Sequence, residues 1–486
     1  MSTELLTTDD WRWTMDDWRR FRGDMTKVIA GGGKSQYLEA VEAARRSEYS
    51  DTFDDRYTYY APRKDHHAAP SMKPYAVTAL AALLLAAATG ALMRFSLVNG
   101  FPTWASNYTA IRHAHSHLMY FGWGTLAIMA LIWRQLPSIT GRALPRGVRA
   151  QMTAAGVAAL LSFPAFWANG YGETQIGGLS LPLGAMVSGA NGLTWAAFIL
   201  LYARATWRLS RRPLPVRLWD AAIVLLILAC MGVLWLMALV VTASSSFFMH
   251  QAALHLFLDL YAVGWFGLAL LGLLWARTGE DAARGQWLPV NALALALAPT
   301  FFLGMAPAVT PPALAAVAML GNVLAAGMLA WHGWLLWWQR ARLPLLVQFG
   351  LLTLAVHALI GVVLIFPGVW TWAAGTQLRV FFLHNLLLGW LSSVLIGLIA
   401  AQWINTPRTV RRILDAAWIG GVGLMLLSLL GMGGGNLSPV SPLVWLQLAA
   451  WSSLLLVGVI VMQVAVAARR FAGHSTSLGI TAEASG

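Results

Sequence analysis

The chain has 486 residues, of which 58% are hydrophobic and 11% charged, with 25 Trp and a formal charge of +13. That is far more apolar surface than a soluble fold needs to bury, so the composition excludes a wholly soluble protein and describes a polytopic membrane protein. The single cysteine, Cys230, excludes an intramolecular disulfide and a cysteine-ligated iron–sulfur cluster.

No charged-apolar-small signal peptide opens the sequence. Residues 1–73 form a polar tail holding 13 of the 20 acidic residues and all four Lys, expected to be retained and soluble. Within it Thr8 can cap a helix whose Trp11, Met15, Trp18, Phe21 and Met25 fall at helical spacing, and a second helical stretch runs over 35–48. Such a face lies on the inner membrane surface or docks on a partner subunit. Residues 49–73 read as a linker.

Apolar runs near 20 residues, with loops marked by Arg, Pro and Gly, predict twelve spans within 74–468. They cover roughly 75–97, 113–134, 150–170, 181–203, 219–242, 249–276, 288–306, 312–338, 344–366, 380–403, 413–432 and 442–467, followed by a C-terminal tail, 469–486. The loops after every even-numbered span, with the C-terminal tail, hold 18 Arg, whereas the opposite side has only Arg94, Arg112 and Arg379. By the positive-inside rule both termini are cytoplasmic. The basic balance is thus a topology signal, and no nucleic-acid partner is read from it.

Three spans carry one signature: His117-Leu-Met-Tyr-Phe-Gly-Trp123, Asp259-Leu-Tyr-Ala-Val-Gly-Trp265 and His384-Asn-Leu-Leu-Leu-Gly-Trp390. These are spans 2, 6 and 10, so the chain is predicted to be an all-α bundle of three four-helix arcs with pseudo-threefold symmetry. The first two copies hold further histidines, His113 and His115, and His250 and His255. All lie toward the outer end. Polar groups in apolar spans are costly, so these are candidate cofactor or metal ligands. His113 and His117 share a helix face, as do His255 and Asp259, whereas His115 projects about 160° from His117. Span 2 can therefore address two neighbours. The glycine of each Gly-Trp allows close approach of a helix or a flat macrocycle, and the Trp is either packed or an interface anchor. Asp259 is expected to hydrogen-bond His255, orienting an imidazole or relaying a proton. Arg112 and Arg379, just before the histidines of spans 2 and 10, are candidate partners for carboxylates of a cofactor. His332 and His357 lie outside the repeat and are expected to be structural.

The arrangement resembles subunit I of the haem-copper oxidases and nitric oxide reductases, in which helices 2 and 10 clamp a low-spin haem. His115-Ser-His-Leu-Met-Tyr-Phe-Gly-Trp123 resembles the low-spin ligand stretch of the cbb-type oxidases and a His-x-His-x-Met-x-Phe-Gly-aromatic segment of the NnrS family of haem and copper membrane proteins. His384-Asn-Leu-Leu-Leu-Gly-Trp390 is similar to the second histidine of the cbb-type His-x-His and its Gly-Trp. The specific motifs cover about thirty residues. With no CxxCH, a haem here is non-covalent, and the resemblance implies haem b between His384 and either His115, favoured by the longer family motif, or His117, favoured by the internal repeat. It also implies a bacterial inner-membrane location and a redox partner such as cytochrome c or another respiratory subunit.

The departures are as specific. Phe382 stands where the family's gas-binding haem has its ligand, and Gly304-Met-Ala-Pro-Ala-Val-Thr-Pro-Pro312 replaces the His-His pair of the copper site. His250 and His255 remain as copper-ligand remnants, with Asp259 beside them as a catalytic candidate. Two functions are therefore expected: a haem redox protein with electron-transfer or nitric oxide chemistry at a degenerate dinuclear centre, or a non-catalytic haem sensor, scavenger or accessory subunit.

Overall fold

A computed structural model describes residues 71–105, 107–279, 288–366, 368–404, 406–434 and 440–479, with side chains through 467. The helices expected in the N-terminal tail lie outside these residues. Eleven helices among the described residues are long and apolar enough to cross a membrane. They are α1 (Lys73–Asn99), α2 (Tyr108–Thr140), α3 (Val148–Asn169), α4 (Leu183–Thr206), α5 (Leu214–Val241) and α6 (Phe247–Thr278). After the shorter segment α7 (Val290–Leu303) come α8 (Pro312–Trp338), α9 (Leu345–Val363), α10 (Leu378–Trp403), α11 (Arg408–Gly433) and α12 (Pro442–Ala467). Each falls on a predicted span. The helix of α12 continues to Gly479, into the stretch expected to be a tail.

The seventh predicted span, 288–306, departs from a full-length helix. It is an α-helix over Val290–Leu297 that tightens into a 3₁₀ turn over Ala298–Leu303. Pro299 is the cause, because it lacks a backbone N–H and disfavours helical geometry in the residue before it. At about 1.5 Å per α residue and 2.0 Å per 3₁₀ residue the segment is about 24 Å long, short of a 30 Å hydrocarbon core. Trp370, on the short helix Val369–Ala374, donates from Nε1 to Leu303 O at 2.9 Å and covers its end.

The threefold signature has a structural counterpart. Immediately after His117, Asp259 and His384 the helix widens into a π turn, over Leu118–Thr125, Leu260–Phe266 and Asn385–Ser392. Side chains follow the wider spacing: Thr125 Oγ1 donates to Tyr120 O five residues back, and Ser392 Oγ to Leu387 O. Isolated π turns are uncommon, and three at one repeat position show that the signature encodes backbone geometry. Its glycine serves helix packing. A Cβ on Gly122, Gly264 or Gly389 would meet Ala82 Cβ at 2.8 Å, Leu225 Cβ at 2.9 Å or Thr353 Cγ2 at 2.9 Å, each on the helix that precedes it in the chain. The paired helices α1–α2, α5–α6 and α9–α10 thus approach closely in the same way three times. Trp123, Trp265 and Trp390 are fully buried rather than interfacial.

At the centre the three copies touch. Trp123 Nε1 donates to Ser392 Oγ at 2.9 Å, joining α2 to α10, and Thr125 Oγ1 meets the Tyr261 hydroxyl at 2.5 Å, joining α2 to α6. Trp265 Nε1 and Trp390 Nε1 are buried without a partner. The repeat accounts for this. Carrying the Trp123–Ser392 relation one copy on pairs Trp265 with Thr125, whose hydroxyl is engaged by Tyr261, and pairs Trp390 with Gly267, which has no hydroxyl. A Cβ on Gly267 meets nothing within 4 Å.

Candidate functional site

A cavity of about 2090 Å³ opens above the π turns, among the ends of α1, α2, α4–α6 and α8–α10 that carry the histidines. Its wall is mostly apolar, broken by His113, His115, His117, His255, His357, His384, Asp259 and the guanidinium-bearing residues Arg94, Arg112 and Arg379. A large apolar pocket with a few convergent polar groups is the usual form of a cofactor site.

The two candidate ligands on α2 differ in what they touch. His115 uses Nδ1 on Ala86 O of α1 at 2.8 Å, and its Nε2 has no hydrogen-bond partner among the described residues. His117 engages both ring nitrogens, Nδ1 with His113 O and Nε2 with the Tyr171 hydroxyl, each at 2.8 Å. Its ring also stacks on Phe166 at 3.8 Å between centroids. His113 joins this aromatic group, 5.8 Å from the His117 ring and 5.2 Å from Tyr171. The 160° divergence expected on span 2 is thus realised: His115 faces α1 and His117 faces α3 and the loop after it. His384 repeats the His115 pattern, with Nδ1 on Val380 O at 2.8 Å and Nε2 without a partner among the described residues. A backbone carbonyl fixing Nδ1–H leaves the Nε2 lone pair for a ligand, the arrangement metal-bound imidazoles ordinarily have.

His115, His384 and Arg94 of α1 border the same cavity. Space is kept for the His115 ring by Gly90, where a Cβ would stand 3.0 Å from Cε1. The residues therefore fit a flat, anionic metal macrocycle: two free imidazole nitrogens and a cation on one apolar cavity. Arg94 lies inside the first predicted span, where a cation is itself a functional signal beyond its place in the charge ladder.

Arg379, expected to serve cofactor carboxylates, is engaged elsewhere. Its guanidinium donates to His255 Nε2 at 3.0 Å, while His255 Nδ1 bonds Asp259 Oδ2 at 3.0 Å. The result is a chain from carboxylate through imidazole to guanidinium that ties α6 to α10. The expected His255–Asp259 bond is present and faces the cavity. Both nitrogens of His255 are occupied, and His250, with Nδ1 on Ser246 O at 2.9 Å, does not border the cavity, so the geometry gives copper no ready-made seat there. No three His, Cys, Asp or Glu among the described residues come together as an ion site. The missing partner is Gly304, from the segment that replaces the copper pair. A Cβ there would collide with both Asp259 Oδ2 and His255 Nδ1, so the chain packs directly on the pair. Asp259→Asn removes the charge balancing Arg379 and is expected to cost about 2 kcal/mol, the worth of a hydrogen bond to a charged group. It should leave the His115–His384 site intact, which an optical spectrum of the variant checks.

Comparison with protein-family models and with curated proteins finds no match to this chain.

Proposed function

We propose that the chain is an integral membrane b-type haem redox protein, with the haem held between His115 of α2 and His384 of α10. The observation that carries this reading is that these two imidazoles, on repeat-related helices, each have Nδ1 tied to a backbone carbonyl and Nε2 free on one apolar cavity. When bound, such a haem supplies one-electron transfer. His115 and His384 bind and orient it, Arg94 and Arg112 offer charge to its carboxylates, and the apolar wall excludes water. His117 supports the site by locking α2 to Tyr171. In the same reading α7 is a shortened twelfth crossing, the three helix pairs are the cores of three oxidase-like arcs, and both termini face the arginine-rich cytoplasmic side of a bacterial inner membrane. Electrons pass to or from a partner such as cytochrome c or another respiratory subunit.

The occupied nitrogens of His255 favour an electron-transfer, sensing or scavenging role over a haem-copper dinuclear centre. Purified protein supplied with a cytochrome or quinol donor is thus expected to consume oxygen slowly or not at all, and fast turnover in an oxygen electrode would overturn that expectation. The haem reading is tested by a reduced-minus-oxidised optical spectrum with metal analysis of the purified protein. A low-spin b-type spectrum supports it, and absence of a Soret band ends it.

A further inference from the structure

Helices α4 and α5 are consecutive, yet they make almost no contact with each other: α4 runs along α3, and α5 along α6. Glycine contacts hold both in place. A Cβ on Gly184 of α4 would collide with Gly170 O just past the end of α3, and one on Gly232 of α5 would stand 2.7 Å from both Ala253 O and Phe257 N of α6. Neither helix can lean toward the other without giving up one of these close approaches, so the cleft between them is built into the packing.

The cavity runs into this cleft. Its lining extends on α4 from Ala185 to Ile199 and on α5 from Ile227 to Val241, which at about 1.5 Å per residue is about 21 Å along each helix. Some of these residues also belong to the outer surface of the bundle: Leu193 is 75% exposed, Leu234 57% and Met237 60%. The cavity is therefore open sideways within two membrane spans, where the surrounding medium is lipid. Its volume of 2090 Å³ exceeds the roughly 300–1,000 Å³ of a pocket for one small ligand, which leaves room for an occupant beside a cofactor.

What enters from that side is apolar over most of its length. Residues 185–199 and 227–241 contain no charged group, and the flexible thioethers of Met231 and Met237 suit an irregular hydrocarbon chain. One hydroxyl borders the cleft near its outer end. Ser188 Oγ is buried and makes no hydrogen bond of normal geometry, while the Tyr171 hydroxyl beside it is engaged by His117 Nε2. Ser188 lies five residues into α4, about 8 Å below its outer end, which is about the depth of one interfacial layer of a bilayer.

The cleft is continuous with the face of the bundle that meets the bilayer, and this selects its occupant. We propose that a phospholipid of the outer leaflet seats one acyl chain between α4 and α5, with an ester carbonyl accepting from Ser188 Oγ. The chain forms the wall that the two helices leave open. A cleft of about 21 Å is longer than the roughly 15 Å of one leaflet's hydrocarbon, so the chain fits along its full length. The site is independent of the haem reading, because it borders the cavity whether or not a macrocycle fills the rest.

The test places the full-length protein in phosphatidylcholine vesicles doped with a phosphatidylcholine that carries a diazirine on one chain, and maps the adducts by mass spectrometry after irradiation. Adducts are expected on Trp195, Ile199 and Cys230, which border the cavity inside the cleft. They should exceed several-fold those on Leu324 of α8 and Leu427 of α11, which are exposed but do not border the cavity. The double substitution Gly189→Leu and Gly192→Leu fills the cleft without displacing a neighbour, since a Cβ at either position meets nothing within 4 Å. It should remove the adducts on Trp195, Ile199 and Cys230 and keep those on Leu324 and Leu427. A phospholipid should also stay with wild type through detergent washing and be absent from the double variant. Adducts spread evenly over all exposed positions, or unchanged in the double variant, overturn the inference, and so does a quinone extracted with the protein that competes the adducts away.

Discussion

Replacing His384 with alanine is expected to abolish the low-spin haem signal, and replacing His115 is expected to do the same, whereas His117→Ala should retain it. The three substitutions remove one imidazole each, and they separate by where the ring nitrogens go. His115 and His384 offer a free Nε2 on the cavity. His117 spends its Nε2 on Tyr171 and its face on Phe166, so its loss loosens packing without removing a ligand. Tyr171→Phe is the matched control, since it frees His117 Nε2 and should leave the spectrum unchanged. Positioning groups typically change metal affinity by about 10- to 100-fold, so Gly90→Val, which crowds the His115 ring, should fall between these extremes. Low-spin bands that survive in His384→Ala, or vanish only in His117→Ala, would exchange the assignment.

Valine at any of Gly122, Gly264 or Gly389 is expected to destabilise the bundle severely. The Cβ alone would sit 2.8 to 2.9 Å from a side-chain carbon of the preceding helix, and the two methyl groups beyond it have nowhere to go. Overpacking of this kind costs about 1–3 kcal/mol when side chains can adjust, and more when a helix pair must separate. Against a total stability of about 5–15 kcal/mol that is a large share. Size-exclusion profiles and thermal unfolding of the three variants should show comparable losses, because the three positions are repeat-equivalent. Wild-type behaviour at one of them would show that its copy of the repeat packs differently.

The sequence revealed those features that depend on composition and periodicity. Apolar run length located the eleven long helices within a few residues, because the bilayer fixes the length a helix needs. Seventeen to twenty apolar residues do not reveal how a run is wound, so 288–306 looked like an ordinary span although Pro299 shortens it. The pairing of His255 with Asp259 was legible because i and i+4 are neighbours on any helix. Its third member, Arg379, was not, since that contact crosses from α6 to α10 over 124 residues of chain. The contacts that distinguish His115 from His117 are with Ala86, Tyr171 and Phe166, which no local pattern places beside them. His357 lies outside the repeat, and only the fold brings Asn385 to the carbonyl four residues before it.

The π turns give the bundle a rotational offset between its two halves. A π turn holds one residue more than the α turn it replaces, so the helix beyond it is turned by about 100° relative to an uninterrupted α-helix. In α2, α6 and α10 this offset falls between the end that carries the histidines and the end that carries the buried Leu, Ile and Trp core. Side chains at the two ends can therefore be aimed independently, the lower half set by packing and the upper half by the cavity. Deleting a single residue from any one of these turns would return that helix to an α register and swing its His or Asp about a quarter-turn away from the partners it now meets. The offset thus acts as a stored phase angle, and the same phase written three times lets one packed core support a cofactor-sized space above it.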